Sequence, residues 1–150
     1  MVTGLDVPAL FDTNILIDYL SGIEAAATEL DSFPDKAISL ITWMEVMVGA
    51  TTDEEKHIIK AFLSQFEMLP IDNPVSALAV EIRQQLKIKL PDAIILATAR
   101  VYRRLLVTRN TKDFSPDAPG IRMPYVVGGT PLLKVGETRV KKGITLTRMS

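Results

Sequence analysis

Short runs of apolar residues alternate along the chain with segments whose apolar residues recur at helical spacing. The runs predict five short strands, at residues 8–11, 37–41, 67–71, 105–108 and 121–123. Helical spacing predicts six helices, at residues 13–20, 23–33, 43–50, 53–66, from 74 onwards, and 91–104. Strands that alternate with helices favour an α/β domain with a small, mainly parallel β-sheet flanked by helices.

Length and composition are those of a single domain. The chain has 150 residues, of which 47% are hydrophobic, enough for a sizeable core. A linker-like break, Gly128-Gly129-Thr130-Pro131, precedes a basic tail with little pattern. We therefore expect one folded domain over residues 1–125 and an extension without an assigned role over residues 126–150.

Several classes of protein are excluded by what the sequence lacks. It has no cysteine, which excludes thiol catalysis, disulfides and cysteine-ligated metals, and its one histidine, His57, excludes a multi-histidine metal site. No apolar run approaches the roughly 20 residues of a membrane span, and no basic and apolar leader opens the chain. We expect a cytoplasmic protein whose hydrolytic chemistry, if it has any, uses carboxylates.

Charge is distributed unevenly, although the net charge is only -1. Residues 1–82 carry 3 basic and 14 acidic side chains, whereas residues 83–122 carry 9 basic and 3 acidic ones. A local basic surface is what phosphate binding requires, so this block is compatible with a nucleic-acid partner. The alternative is a set of solvated helix faces.

Four acids follow the predicted strands or begin the predicted helices. Asp12 follows the first strand, Glu45 comes soon after the second, Asp92 begins the last helix and Asp113 follows the fourth strand. Ligands of open parallel sheets bind beyond the carboxyl ends of the strands, where we expect these acids to meet.

Each acid also has a purely structural interpretation. Asp12 is suited to an N-cap, Glu45 to a capping box with Thr42, Asp92 to the positive end of a helix dipole, and Asp113 to a turn with Asn110. These roles do not explain why all four acids fall at one predicted edge.

A cluster of carboxylates raises its own pKa values unless a cation neutralises it, and hard oxygen ligands suit Mg²⁺ or Mn²⁺. Such a metal can activate a water and stabilise charge on a phosphoryl group. The cluster and the basic block together favour metal-dependent phosphodiester hydrolysis.

Four segments of the chain, within residues 9–125, resemble the motifs of PIN-domain ribonucleases, and especially of VapC-like toxins from toxin–antitoxin pairs. The segments are Leu10-Phe11-Asp12-Thr13-Asn14, Glu45 with Gly49, residues 90–99 (LPDAIILATA), and residues 107–114 (VTRNTKDF). Each segment alone is weak, but their order and spacing are specific.

The resemblance implies a PIN-like fold, an Mg²⁺ or Mn²⁺ site, endonucleolytic cleavage of RNA and a cognate antitoxin. Together with the apolar stripes on residues 13–20 and 23–33 and the methionine-rich helix after Trp43, it also suggests a homodimer. Asp12, Glu45, Asp92 and Asp113 match the catalytic and metal-binding acids. The family pattern also suggests that Asn110 assists near the metal or phosphate, that Thr13 and Thr108 hold the acids or water, and that Arg109 contacts substrate.

Further basic residues are expected to follow an RNA backbone together with Arg109, namely Arg100, Arg103, Arg104 and Lys112. Two other functions remain open at this point: a PIN nuclease of RNA maturation or decay without an antitoxin, and a catalytically idle module that binds RNA or protein.

Overall fold

A computed structural model describes residues 6–127, which form five strands and six helices. In chain order these are β1 (Ala9–Phe11), α1 (Thr13–Leu20), α2 (Glu24–Asp31), β2 (Lys36–Ser39), α3 (Leu40–Val48), α4 (Asp53–Leu63), β3 (Glu67–Leu69), α5 (Asn73–Leu86), α6 (Leu90–Val101), β4 (Leu105–Val107) and β5 (Ile121–Arg122). The predicted elements and their order are confirmed.

The five strands form one sheet with the order β3-β2-β1-β4-β5, and all four pairings are parallel. Side chains of β1 alternate between the two faces, as the pleat requires. Phe11 packs in a cluster with α1, α2 and α4, whereas Leu10 packs with α5 and α6. The predicted α/β architecture, a small parallel sheet flanked by helices, is confirmed, and β1 is its buried central strand.

Helix α3 begins three residues earlier than its apolar pattern predicts. Ser39, the last residue of β2, is its N-cap, and its hydroxyl accepts a hydrogen bond of 3.1 Å from the backbone N–H of Ile41. The capping box proposed for Thr42 and Glu45 is therefore wrong, because both residues lie inside the helix. Neither side chain caps the helix, and both instead form hydrogen bonds with Thr13.

The edge at which the strands begin is tied together by Arg104. Its guanidinium donates to the carbonyl of Ala9, to Asp35 at 2.7 Å and to Glu67 at 2.9 Å, next to the first residues of β1, β2 and β3. The expectation that Arg104 follows an RNA backbone together with Arg109 and Lys112 is wrong, because these residues lie at opposite ends of β4. The predicted basic block is split by the fold.

Some of the predictions concern parts of the chain that the structure does not describe. The break at residues 128–131 and most of the extension over residues 126–150 lie outside the described residues, so the boundary at residue 125 stays a prediction. Within residues 6–127 no helix has both the length and the apolar character that crossing a membrane requires.

Candidate functional site

Asp12 is the most buried of the predicted acids, with 3% of its surface exposed. It follows β1 directly and is the N-cap of α1, so its Oδ1 accepts a 2.7 Å hydrogen bond from the backbone N–H of Thr13. Its Oδ2 accepts hydrogen bonds from the Thr108 hydroxyl at 2.7 Å and from the Asn14 amide at 3.3 Å. The carboxylate is thus fixed by donors from both α1 and the end of β4.

Glu45 reaches the same edge from the interior of α3. Its Oε1 accepts a 2.6 Å hydrogen bond from the hydroxyl of Thr13, which also lies 2.9 Å from the hydroxyl of Thr42. Because Thr13 has one hydroxyl proton and gives it to Glu45, Thr42 must donate to Thr13. Two hydroxyl groups in series therefore orient Glu45 toward Asp12.

Asp92 and Asp113 approach this pair from α6 and from the loop after β4. Asp92 is in the first turn of α6, where the helix dipole favours a negative charge, and it lies within hydrogen-bond range of Asp113. Asp113 accepts from the Asn110 amide at 3.1 Å, and Asn110 Oδ1 accepts from the backbone N–H groups of Lys112 and Asp113. The turn predicted from Asn110 and Asp113 is present, and it presents Asp113 to Asp92.

The electrostatics of the site disfavour full ionisation of its acids. Burial raises the pKa of Asp12 to about 6, against the lowering effect of its hydrogen bonds from Thr108 and Thr13. Burial, the charge of Asp12 and the hydrogen bond to Asp113 together raise the pKa of Asp92 to about 7. Each of these two acids also feels the charge of Glu45. The arrangement therefore holds more negative charge than it can stabilise alone.

The four carboxyl groups offer the oxygen ligands that a hard divalent cation prefers. In their present rotamers, the described side chains do not form a group of three metal ligands. The fold nevertheless brings the four carboxyl-bearing residues to one edge, where the charge of Asp12 contributes to the raised pKa of Asp92. Sites made of oxygen ligands alone suit Mg²⁺ or Mn²⁺.

Arg109 lies at the same edge but is already engaged. Its Nε and Nη2 donate to Asp18 of α1 at 2.5 and 2.8 Å, and 34% of its side chain is exposed. This ion pair raises the pKa of Arg109. The guanidinium predicted to contact substrate is therefore mainly the counter-ion of a buried aspartate.

A family model described as PIN domain matches residues 9–115. The chain belongs to the PIN domain family. Ribonuclease VapC1 of Methanocaldococcus jannaschii is 31% identical over 110 residues, which cover 70% of this chain and 77% of that protein. The resemblance seen in the four motifs is confirmed.

Two solved structures with the same fold contain chains that share more than a quarter of their residues with this chain. A toxin-antitoxin complex from Klebsiella pneumoniae contains a chain 51% identical to this one, with a TM-score of 0.74 over 79% of this chain and 98% of that chain. FitAcB from Neisseria gonorrhoeae contains one that is 28% identical, with a TM-score of 0.66 over 77% and 97% of the two chains. The PIN domain described here thus matches almost the whole length of both.

Four residues that lie around the acids of this PIN domain were not predicted to support the site: Asn14, Asp18, Thr42 and Tyr125. Asn14 belongs to the first of the four motifs, Leu10-Phe11-Asp12-Thr13-Asn14. Asn14 and Asp18 are four residues apart and so share one face of α1, and this spacing could have identified the pair. Thr42 was read as a helix cap. Tyr125 lies outside the matched span and carried no signal.

Proposed function

We propose that this PIN domain is a metal-dependent endoribonuclease and the toxin of a toxin–antitoxin pair. The single observation that carries the proposal is the convergence of Asp12, Glu45, Asp92 and Asp113 at the carboxyl edge of a parallel sheet, where the charge of Asp12 contributes to the raised pKa of Asp92. The similarity to Ribonuclease VapC1 and to the chain of the Klebsiella complex supports the choice of RNA and of an antitoxin.

The four acids would hold Mg²⁺ or Mn²⁺, with Asp12 and Asp92 as the principal ligands and Glu45 and Asp113 completing the set. When bound, the metal would supply a water of lowered pKa and positive charge for the phosphoryl oxygens. The protein's own contribution is to keep the carboxylates aimed at one point: Thr108 and Thr13 donate to Asp12 and Glu45, and Asn110 orients Asp113.

Exposed cations beside the acids would bind the flanking RNA phosphates. Lys112 adjoins Asp113 on the loop after β4, and Lys87 and Lys89 join α5 to the helix that carries Asp92. All three are exposed, and phosphate contacts of this kind are largely independent of base sequence. Arg109 adds positive charge near Asp12.

The antitoxin and a second copy of this chain are the proposed protein partners. Helix α3 exposes Met44 and Val48, the latter to 75%, beside the half-buried Trp43 and Met47. An antitoxin segment on this apolar surface, with an Arg or Lys directed at the acids, would neutralise the site in place of a metal. Light scattering at micromolar concentration should give the mass of a homodimer, and a monomer would contradict this part of the proposal.

The first prediction tests the chemistry. Asp92→Asn should reduce RNA cleavage in Mg²⁺ by at least about a thousandfold, because it removes a metal ligand while keeping the shape of the side chain. EDTA should stop the wild-type enzyme, and Mg²⁺ or Mn²⁺ should restore it. Cleavage is measured on a labelled RNA pool with the purified chain.

Asp117→Asn is the matched control, because Asp117 is an exposed acid on the loop that follows Asp113 and should leave cleavage unchanged. Full activity of a verified metal-free preparation would contradict the mechanism. RNA binding without cleavage by the wild type would favour the idle module. Cleavage that no co-expressed neighbouring gene product inhibits would favour a nuclease of RNA maturation or decay.

A further inference from the structure

The buried carboxylate of Asp18 gathers three hydrogen bonds from two distant parts of the chain. Arg109, 91 residues away, donates to it through Nε and Nη2, and the Tyr125 hydroxyl, 107 residues away, donates at 2.8 Å. Burial of Tyr125 and the charge of Asp18 raise the pKa of this hydroxyl, so it keeps its proton and remains a donor. We call Asp18, Arg109 and Tyr125 the α1 clamp.

The clamp is connected to the acidic site through Asn14. Asn14 and Asp18 are four residues apart and therefore lie one above the other on α1. Arg109 binds both of them: its guanidinium binds Asp18, and its backbone N–H donates to Asn14 Oδ1 at 3.3 Å. One residue thus fixes the loop after β4 against a full turn of the helix that Asp12 caps.

This contact determines which way the Asn14 amide points. Because Oδ1 accepts from the Arg109 N–H, the Nδ2 group faces the site, where it is 3.3 Å from both Asp12 Oδ2 and the Thr108 hydroxyl. Reversing the amide would place its oxygen against a carboxylate oxygen. The clamp therefore ensures that Asp12 meets a donor on this side.

We propose that Asp18, Arg109 and Tyr125 are positioning residues for the metal ligand Asp12 and act on it through Asn14. The inference rests on the proposed function, since it concerns the ligand set of that site. Outer partners that orient metal ligands commonly contribute about ten- to a hundredfold to metal affinity. If the clamp stabilised only the fold, its loss would leave the metal affinity unchanged.

The fold contains a closely similar ion pair that serves as a control. Arg122 of β5 donates through Nε and Nη2 to Glu29 of α2, at 2.5 and 3.0 Å, and this carboxylate is as buried as that of Asp18. Among the hydrogen bonds of the described residues, none joins this pair to Asn14 or to the four acids. The backbone carbonyl of Arg122 accepts from the N–H of Thr108, but within residues 6–127 the side-chain pair makes no hydrogen bond to the clamp or to the acids. Glu29→Gln therefore removes the same kind of interaction and leaves the hydrogen bonds of the clamp and of the acids in place.

The experiment compares Tyr125→Phe, Asp18→Asn and Glu29→Gln with the wild-type chain. Mn²⁺ affinity is measured by titrating metal-free protein with Mn²⁺ and following electron paramagnetic resonance. Stability is measured by urea unfolding. Cleavage is measured as separate kcat and KM values. Asp18→Asn should weaken Mn²⁺ binding about tenfold and lower kcat with little change in KM, and Tyr125→Phe should do the same to a smaller extent. Glu29→Gln should lose stability but keep Mn²⁺ affinity.

Tyr125→Phe keeps the test informative if Asp18→Asn fails to fold, because it removes a single hydrogen bond. In an Asn14→Ala background, Tyr125→Phe should have no further effect on Mn²⁺ affinity, since the connecting residue is gone. If the wild type binds Mn²⁺ and Tyr125→Phe binds it equally well, the clamp proposal alone is overturned. If the wild type binds no Mn²⁺, the proposed function is overturned together with it.

Discussion

Asp12 and Asp92 are held in surroundings that favour their protonated forms. Their pKa values of about 6 and about 7 lie well above the ordinary aspartate value of 3.8. Between pH 4 and pH 7 these two carboxyl groups therefore bind more protons in the folded protein than in the unfolded chain. By linkage, their contribution to the stability of the metal-free protein must fall as the pH rises through this window.

The second prediction follows for Asp92→Asn. At pH 7.5 the metal-free variant should be more stable than the wild type by about 1 kcal/mol, a figure reduced for the partial exposure of this carboxyl. The difference should shrink as the pH falls toward the ordinary aspartate value of 3.8 and vanish below it, where the wild-type acid is protonated in both states. Urea unfolding in EDTA across this pH range measures it, and a difference that grows on acidification would contradict the assignment.

From the sequence, the meeting of the four acids and the support from Thr13 and Thr108 could be predicted, but the pairing of Arg109 with Asp18 could not. Asp12 and Asp92 stand at element boundaries within specific motifs, so their place at the sheet edge follows from strand and helix order. Arg109 appears in the sequence as an unpaired cation, because its partner Asp18 is 91 residues away. Which side chains pair across such a distance depends on helix orientation, and residue spacing does not specify that.

At the scale of elements, the starts of helices were harder to predict than their existence. Ser39 and Thr42 are both good N-caps, and the apolar pattern around Trp43 favoured the later one. The parallel pairing of β2 with β3 ends at Ser39, and this decides between them, because the chain is free to turn into a helix there. That pairing is a tertiary contact, which a local pattern does not contain.

The third prediction concerns the end of α5. Lys87 terminates this helix in the left-handed region, with φ 56° and ψ 34°, a conformation that costs residues with a Cβ roughly 1–2 kcal/mol. Lys87→Gly should raise the free energy of unfolding by up to about 1 kcal/mol, since the relief exceeds glycine's extra backbone entropy loss. Urea denaturation measures the change.

Lys87→Ala is the control for that experiment. It removes the same charge and the same exposed side chain but keeps the Cβ atom, so it should give no increase in stability. An equal gain in both variants would show that charge, and not backbone conformation, sets the stability at this position.

At the scale of the whole molecule, the two ends of the sheet carry different charge. Helix α6 has 12 residues and is roughly 18 Å long, and Asp92 in its first turn lies roughly 12 Å along the axis from Arg100 in its last. Lys112 lies with the acids, and Arg103 and Arg104 lie at the far end. RNA bound across the acids should therefore contact only part of the basic block.

The fourth prediction compares two exposed cations at the two ends. Lys112→Gln should weaken the binding of many RNAs alike in Mg²⁺ and flatten the slope of log K against log salt by somewhat less than one. Arg100→Gln removes the same charge at the far end and should change neither quantity. Affinity titrations at several salt concentrations provide the measurement, and equal effects of the two variants would place RNA elsewhere on the molecule.

The strand order has a consequence for how the protein is made. β1 is among the first segments to be synthesised, yet it lies between β2 and β4, and β4 is added almost a hundred residues later. Thr108 and Asp113 follow later still, so a growing chain that already contains Asp12, Glu45 and Asp92 has neither a complete sheet nor the Thr108 hydroxyl that donates to Asp12. Domains complete their folding as units, and translation adds roughly 5–20 residues each second. Under the proposed function, the chain would therefore gain cleavage activity only after nearly the whole domain has been synthesised.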